Sequence, residues 1–403
     1  MIARALVLKL LERMREGSLT LVEPQGRHEL GSGPPHATLH IHDPRTFKAL
    51  LKGSRGLAES YADGWWDSPD LTALIRVAAR NAAQLDEPRR RLSPLREPYQ
   101  RARSALTRNT PRRSRRDIAA HYDLGNELFE LMLDPTLSYS SARFTKPGMT
   151  LEQASLAKLE LVCEKLALEP GDHVLEIGTG WGGFALHAAA TRGCKVTTTT
   201  ISDEQHAHAT ERIRQAGLEH LVTVLKQDYR DLRGRYDKLV SIEMVEAVGW
   251  KDFGTFFERC GALLEPDGAM LLQAITIDDR AYAVERASRS FIRTHIFPNG
   301  CLPSLEVIAR QTARRTDLTM VHMEDFGLDY AETLRRWRAN LERHADGLQQ
   351  LGYDERFRRL WRLYLCYCEA GFAERRIGVA QALFAKPAWR PATAVSDSVR
   401  RAA

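Results

Sequence analysis

The run Glu176-Ile-Gly-Thr-Gly-Trp-Gly-Gly183 gathers an acid, an indole and four glycines within eight residues. The apolar stretch His173-Val-Leu-Glu-Ile177 before it reads as a buried parallel strand, and Phe184-Ala-Leu-His-Ala-Ala-Ala190 after it as a helix. Gly178, Gly180 and Gly182 at the turn permit positive φ and let a ligand approach the backbone closely. A strand, a glycine turn and a helix in that order hold a nucleotide-like ligand at the strand end, in the crevice of a doubly wound sheet. The G-x-G-x-G spacing is not the dinucleotide fingerprint, and the run lacks the Lys-Ser/Thr ending of a P-loop. A tight β–α turn that holds no ligand is the alternative.

The elements around this run alternate. Lys195–Thr200, Val222–Leu225, Asp237–Ile242 and Ala269–Ile275 read as further strands, with helices over Glu204–Gln215 and Phe253–Leu264 between them. Leu318–His322 and Gly378–Phe384 complete seven strands, separated by helical segments near 330–346 and 353–374. The pattern predicts an α/β fold: a doubly wound, mostly parallel seven-stranded sheet with helices on both faces. Thr150-Leu-Glu-Gln153 is a capping box that opens an amphipathic helix ending near Leu168, with Leu151, Leu159, Val162 and Leu166 on its stripe.

Residues 1–85 read as a small α+β domain: a first helix ending near Gly17, then strands at Leu19–Val22 and Ala37–Ile41. His36, His40 and His42 share a strand face, but no acid or cysteine completes a metal shell there, so no metal site is expected. Gly56–Asp67, with three aromatics among polar residues, reads as an ordered surface. Residues 86–116 form an Arg-rich linker: Arg89 to Arg116 contains eleven arginines and a single acid, Glu97. An anionic membrane suits such a segment, and so does plain solvent. With Tyr99 as its one aromatic it offers no stacking platform for bases, so nucleic acid is not an expected partner. The region of alternating strands and helices, with the segment leading into it, spans 117–386, and 387–403 reads as a disordered tail.

Composition sets outer limits. With 403 residues the chain accommodates two or three domains, and its net charge of +6 is a modest basic bias. Six cysteines without a C-x-x-C pair point to a reducing, cytoplasmic setting rather than a disulfide framework. No run of about 18 apolar residues reads as a membrane span.

Several motifs follow one another in a fixed order. They are His121-Tyr-Asp-Leu-Gly-Asn126, the glycine loop, Thr200-Ile-Ser-Asp-Glu-Gln205, Gln227-Asp-Tyr-Arg-Asp231, Ile296–Ser304 and Tyr367-Cys-Glu-Ala-Gly-Phe372. Together they resemble the cyclopropane-fatty-acyl-phospholipid synthase family, which includes the mycolic acid cyclopropane synthases. The resemblance covers roughly 117–386, and residues 1–85 are similar to the extra domain of the phospholipid-acting branch.

The resemblance implies a class I S-adenosylmethionine-dependent methyltransferase fold and a defined reaction. The π electrons of a cis double bond in a phospholipid acyl chain take the methyl of S-adenosylmethionine, and a carbocation forms. A base, in this family a bound bicarbonate ion, removes a proton, and a cyclopropane ring closes. Carried over by position, the cofactor contacts are Tyr139, Ser140, Glu176, Gly178, Gly180, Trp181, Gly182, Thr200, Ser202, Gln205, Asp228 and Tyr229. The bicarbonate cage maps to Ser141, Glu246, Gln273, the backbone of Ile275 and Tyr330. Cys368 occupies the position of a cysteine once proposed as catalytic, with a buried structural role as the alternative.

Ser141 and Gln273 depart from the better-known Cys and His, and Ala247 replaces a His. The versions Glu243-Met-Val-Glu-Ala-Val-Gly249 and Gln273-Ala-Ile-Thr-Ile277 resemble the plant-like and actinobacterial branch, some of whose members form an exocyclic methylene instead of a ring. Ser and Gln still donate hydrogen bonds. The competing readings are a lipid- and cofactor-binding protein without activity, and a nucleic-acid or protein methyltransferase. Ser241-Ile-Glu-Met-Val-Glu246 argues against the latter, since no Asn-Pro-Pro-Tyr follows strand four. Expected partners are an unsaturated phospholipid and the inner face of an anionic membrane, with the N-terminal domain open to lipid docking or a homodimer contact.

Overall fold

The computed structural model describes residues 2–82, 125–288, 290–298 and 300–390. The linker 86–116, the start of the His121–Asn126 motif and the tail from 391 lie outside the described residues. The described chain forms two compact units. One takes 2–82, the stretch from Arg280 to Pro298 and Ala331–Ile377; the other takes 125–279, 300–330 and 378–390. The sequence pattern divides the chain serially, whereas the backbone interleaves it. Helix amphipathicity is the reason. In Glu355–Ala373, Trp361, Tyr364 and Leu365 are buried, and this helix packs on Ser54–Ala62 of the first unit. Arg359 seals that contact, its Nε donating to Tyr61 O at 2.7 Å and its guanidinium lying 4.1 Å from the Tyr61 ring centroid.

The first unit carries a four-stranded sheet of β1 (Gly17–Glu23), β2 (Gly26–Ser32), β3 (His36–Ile41) and β4 (Trp66–Asp67), in the order β2-β1-β3-β4. Period-two alternation buries Leu19 and Leu21 from β1 beside Leu39 and Ile41 from β3. The first helix is Ile2–Leu11 and stops short of Gly17. Asn81 intercepts the chain there: its Oδ1 accepts from Arg15 N at 2.9 Å and its Nδ2 donates to Glu16 O at 2.7 Å. Gly56–Asp67 is not a surface. Tyr61 and Trp66 are fully buried core residues, and Trp66 Nε1 donates to Ser60 Oγ at 3.0 Å.

The second unit carries the expected seven-stranded sheet. Its strands are β5 (His173–Ile177), β6 (Lys195–Thr200), β7 (Val222–Lys226), β8 (Tyr236–Ile242), β9 (Leu264–Ile277), β10 (Thr319–Asp325) and β11 (Ile377–Ala385). Their order is β10-β11-β9-β8-β5-β6-β7. The pairings β5–β6, β5–β8, β6–β7 and β8–β9 are parallel, and β10–β11 is antiparallel. The order reverses at β5, which opens a crevice outside the carboxyl ends of β5 and β8. The capping box forms: Gln153 N donates to Thr150 Oγ1 at 3.1 Å, Thr150 N to Gln153 Oε1 at 3.0 Å, and the helix runs Leu151–Leu166. Its stripe meets Phe184, Ala188, Val174 and Val196 in the core. The start of the expected tail is ordered, because the Trp389 ring packs on that core and Ala388 N donates to Pro266 O at 3.2 Å. No described helix is long and apolar enough to cross a membrane.

Candidate active site

The glycine loop follows β5 with its three alternate glycines in the left-handed half of backbone space: Gly178 at φ +107°, Gly180 at +52° and Gly182 at +85°. Gly178 N and Thr179 N donate to Thr199 O at 3.1 and 3.0 Å, which ties the loop to the end of β6. A Cβ on Gly183 would stand 2.7 Å from Thr136 O, whereas one on Gly180 would meet nothing within 4 Å. The loop is therefore packed from behind and open at Gly180. Trp181 is buried in its centre; its ring lies 4.7 Å from Phe129, and its Nε1 donates to Asn126 Oδ1 at 2.9 Å. Tyr139 continues the aromatic cluster at 5.2 Å from Phe129.

Glu176, at the end of β5, is buried and accepts from Thr198 Oγ1 at 2.6 Å. Burial pushes its carboxyl up to about 8. The buried Lys158 faces it; burial pulls its ammonium down to about 8, and Glu243, Asp134 and Glu176 act against that fall. Lys158 Nζ donates to Ser140 Oγ at 2.9 Å. Sequence reasoning missed Lys158 and Asp134. The available signal was a lysine on the apolar stripe of the helix, next to Leu159 and four residues before Val162.

The motif after β6 closes on itself. Thr200 Oγ1 donates to Gln205 Oε1 at 2.9 Å, and Ser202 caps the next helix by accepting from Gln205 N at 3.2 Å. After β7, Asp228 caps the turn Tyr229–Asp231, and Arg230 pairs with its carboxylate through Nε at 2.8 Å and Nη2 at 2.7 Å. Tyr229 is buried against Phe256, and burial raises its hydroxyl. All the residues assigned to the cofactor thus lie at the carboxyl ends of β5, β6 and β7 or on the Tyr139–Ser140 strap.

At the ends of β8 and β9 the structure brings Ser141, Gln273 and Tyr330 together on a carboxylate to which the sequence assigned no role. Glu243 Oε1 accepts from Ser141 N at 2.9 Å and Gln273 Nε2 at 2.8 Å, and Oε2 accepts from the Tyr330 hydroxyl at 2.6 Å. Glu246 Oε1 accepts from Ile275 N at 2.5 Å, while Oε2 is shut from solvent without a hydrogen-bond partner among the described residues. Burial, with the Glu243 charge beside it, pushes the Glu246 carboxyl up to about 8. No arginine pairs with Glu246 among the described residues. Cys368 belongs to the first unit, on Glu355–Ala373, and burial pushes its thiol up to about 12.

The comparisons with known proteins agree with this arrangement. The family model for mycolic acid cyclopropane synthetase matches residues 109–382. Tuberculostearic acid methyltransferase of Mycobacterium tuberculosis is 38% identical over 372 residues, covering 90% of this chain and 86% of its own. Cyclopropane-fatty-acyl-phospholipid synthase of Escherichia coli is 38% identical over 361 residues, covering 88% and 89%. A solved mycolic acid cyclopropane synthase complexed with SAH and CTAB superposes with a TM-score of 0.63 at 31% identity, over 68% of this chain and 98% of that one.

Proposed function

We propose, from the premise that this chain belongs to the mycolic acid cyclopropane synthetase family, that it methylates the cis double bond of an unsaturated acyl chain carried on a phospholipid. The chain is an S-adenosylmethionine-dependent methyltransferase. The observation that carries the reading is the pairing of an open glycine loop at β5 with a half-buried acid pair, Glu243 and Glu246, just past the end of the neighbouring β8.

The residues present fit S-adenosylmethionine. Gly178, Gly180, Trp181 and Gly182 provide the close backbone approach, Glu176 a buried acid at the strand end, and Tyr139, Ser140, Thr200, Ser202, Gln205, Asp228 and Tyr229 line the strand ends beyond it. When bound, this cofactor supplies an electrophilic methyl and a thioether leaving group. The protein's part is to align the double bond, exclude water from the resulting carbocation and accept one proton.

A separately bound bicarbonate does not fit the cage as it stands. Ser141 N, Gln273 and Tyr330 already end on Glu243, and Ile275 N on Glu246. A further anion there would have to find other donors beside the Glu243 and Glu246 carboxyls. The proton is then left to an acceptor within the chain.

Ring closure is the product favoured by the family. A methylene- or methyl-branched chain is the second reading, supported by the 38% identity to a tuberculostearic acid methyltransferase over 90% of this chain. The net charge of +6 and the Arg-rich 86–116 segment support action at an anionic membrane surface.

The test is product analysis. Purified full-length protein is incubated with S-adenosylmethionine and vesicles of a cis-monounsaturated phospholipid, and the recovered fatty acids are examined by mass and proton NMR. A gain of one CH2 with high-field ring protons is the expected result. The same gain with vinylic protons selects the methylene branch. No gain in mass overturns the assignment.

A further inference from the structure

We propose that Glu243 is itself the base of this reaction, its carboxylate standing where a separately bound anion would otherwise be held. The inference rests on the alkene-methylation reading above and specifies which group takes the proton.

Three donors from distant parts of the chain converge on this one carboxylate. Ser141 N comes from the strap before Leu151–Leu166, Gln273 from β9 and Tyr330 from the first turn of Gly327–Arg343; the distances are 2.9, 2.8 and 2.6 Å. Such a set recognises a carboxylate-shaped anion in a dry site. The Gln273 amide cannot be turned the other way. Lys165 Nζ, which can only donate, reaches Gln381 Oε1 at 2.8 Å, so Gln381 presents its NH2 to Gln273 Oε1 at 3.0 Å, and Gln273 presents its NH2 to Glu243. This buried relay makes the Glu243 site a donor pocket.

The backbone points the same way. Glu243 sits at φ +50°, a left-handed conformation that disfavours a side-chain-bearing residue, and its N–H is pinned to Gln273 O at 2.8 Å. Strain held at a strand end beside the glycine loop accords with a functional role. Burial raises both carboxyls, but Glu246, with a single donor and one unpartnered buried oxygen, is the better holder of the pair's resting proton, while the three donors on Glu243 favour its charged form.

The step balances as follows. The π pair of the double bond forms a C–C bond to the methyl carbon as the C–S bond breaks and its pair stays on sulfur. The adjacent carbon becomes a cation. The electron pair of a C–H bond on the new methyl then closes the ring, or, after a hydride shift, forms the exocyclic double bond. The released proton goes to a Glu243 carboxylate oxygen and leaves when the site reopens.

The experiment measures turnover of the full chain on unsaturated phospholipid vesicles in carbonate-free buffer, with and without added bicarbonate. Wild type is expected to run equally fast in both; a stimulation of tenfold or more by bicarbonate overturns the inference. E243Q keeps the shape and should lose on the order of 100-fold in turnover, the low end of a general base's contribution, with SAH affinity unchanged. Turnover within about threefold of wild type overturns the inference. E243G relieves the positive φ and frees the three donors, so added bicarbonate or formate should restore its turnover at least tenfold; absence of any restoration also counts against the assignment. Failure of wild type to make any product would instead sink the alkene-methylation reading, so the two failures are distinguishable.

Discussion

Glu246 shows what a single buried carboxyl does to the whole protein. Its carboxyl is pushed up to about 8 by burial and by the Glu243 charge. Between the ordinary carboxyl range and about 8, the native state therefore holds a proton that the unfolded chain releases, and stability falls as pH rises through that window. Glu176, also raised to about 8, adds in the same direction, while Lys158, lowered to about 8, makes stability rise with pH only above that value. E246Q removes one of these protons. The thermal midpoint of the cofactor-free protein should then decline less steeply from about pH 5 to about pH 8 than in wild type, read by scanning calorimetry across buffers. An unchanged slope would place the Glu246 proton elsewhere. At the same scale, K158M removes a buried ammonium and leaves Glu176 and Glu243 without it. Stripping one partner from a buried charge group costs about 3–5 kcal/mol, so its urea midpoint should fall well below that of wild type. The residues of the acid site are only partly legible in the sequence. Ser141, Gln273, Ile275 and Tyr330 are marked by their motif positions; Ser141, Gln273 and Tyr330 end on Glu243, and Ile275 N ends on Glu246. Glu243 carries no such mark, because its donors lie 102, 30 and 87 positions away and only the fold brings them to it.

Among the elements, the β5 turn separates packing from binding. A Cβ added at Gly183 would stand 2.7 Å from Thr136 O, so G183A must push main chain aside and should lose about 1–3 kcal/mol in urea denaturation. Gly180 has open space around it, and G180A carries only the left-handed backbone penalty of roughly 1 kcal/mol. Its main loss should instead appear in an SAH titration, as an affinity drop of tenfold or more; wild-type affinity in G180A would remove this turn from the ligand's path. The turn and the strands around it are legible because a short apolar run, a glycine cluster and a helical period follow each other without a break. β2 is not legible: Gly26–Ser32 is polar and mostly exposed, an edge strand fixed by its pairing with β1 rather than by its own pattern. Tyr61 and Trp66 read as surface because Asp63, Gly64 and Asp67 surround them, whereas a helix and a strand turn both rings inward. The two compact units interleave what the sequence pattern divides serially for a related reason, since an amphipathic helix records that one face is buried but not in which unit.

At the level of the whole molecule, chemistry and charge sit in different parts of the chain. The acid pair and the glycine loop belong to the unit built on the seven-stranded sheet, while eleven arginines fall between Arg89 and Arg116, against one acid. On the proposed reading the substrate acyl chain lies within a bilayer, and an enzyme acting on it has to dwell at the surface long enough for one chain to reach the crevice. Each arginine near an anionic surface contributes on the order of 1 kcal/mol, and four together suffice for a measurable change in residence. Replacing Arg112, Arg113, Arg115 and Arg116 by glutamine in the full chain should weaken binding to phosphatidylglycerol vesicles at least tenfold at low salt, measured by co-sedimentation. The difference from wild type should shrink as the Debye length falls from about 10 Å at 0.1 M salt to about 3 Å at 1 M. Turnover on a detergent-dispersed acyl substrate should be unaffected, because those arginines lie outside the motifs that build the acid site. Equal vesicle binding at low salt would make this segment a solvated connector and leave the membrane approach to another surface.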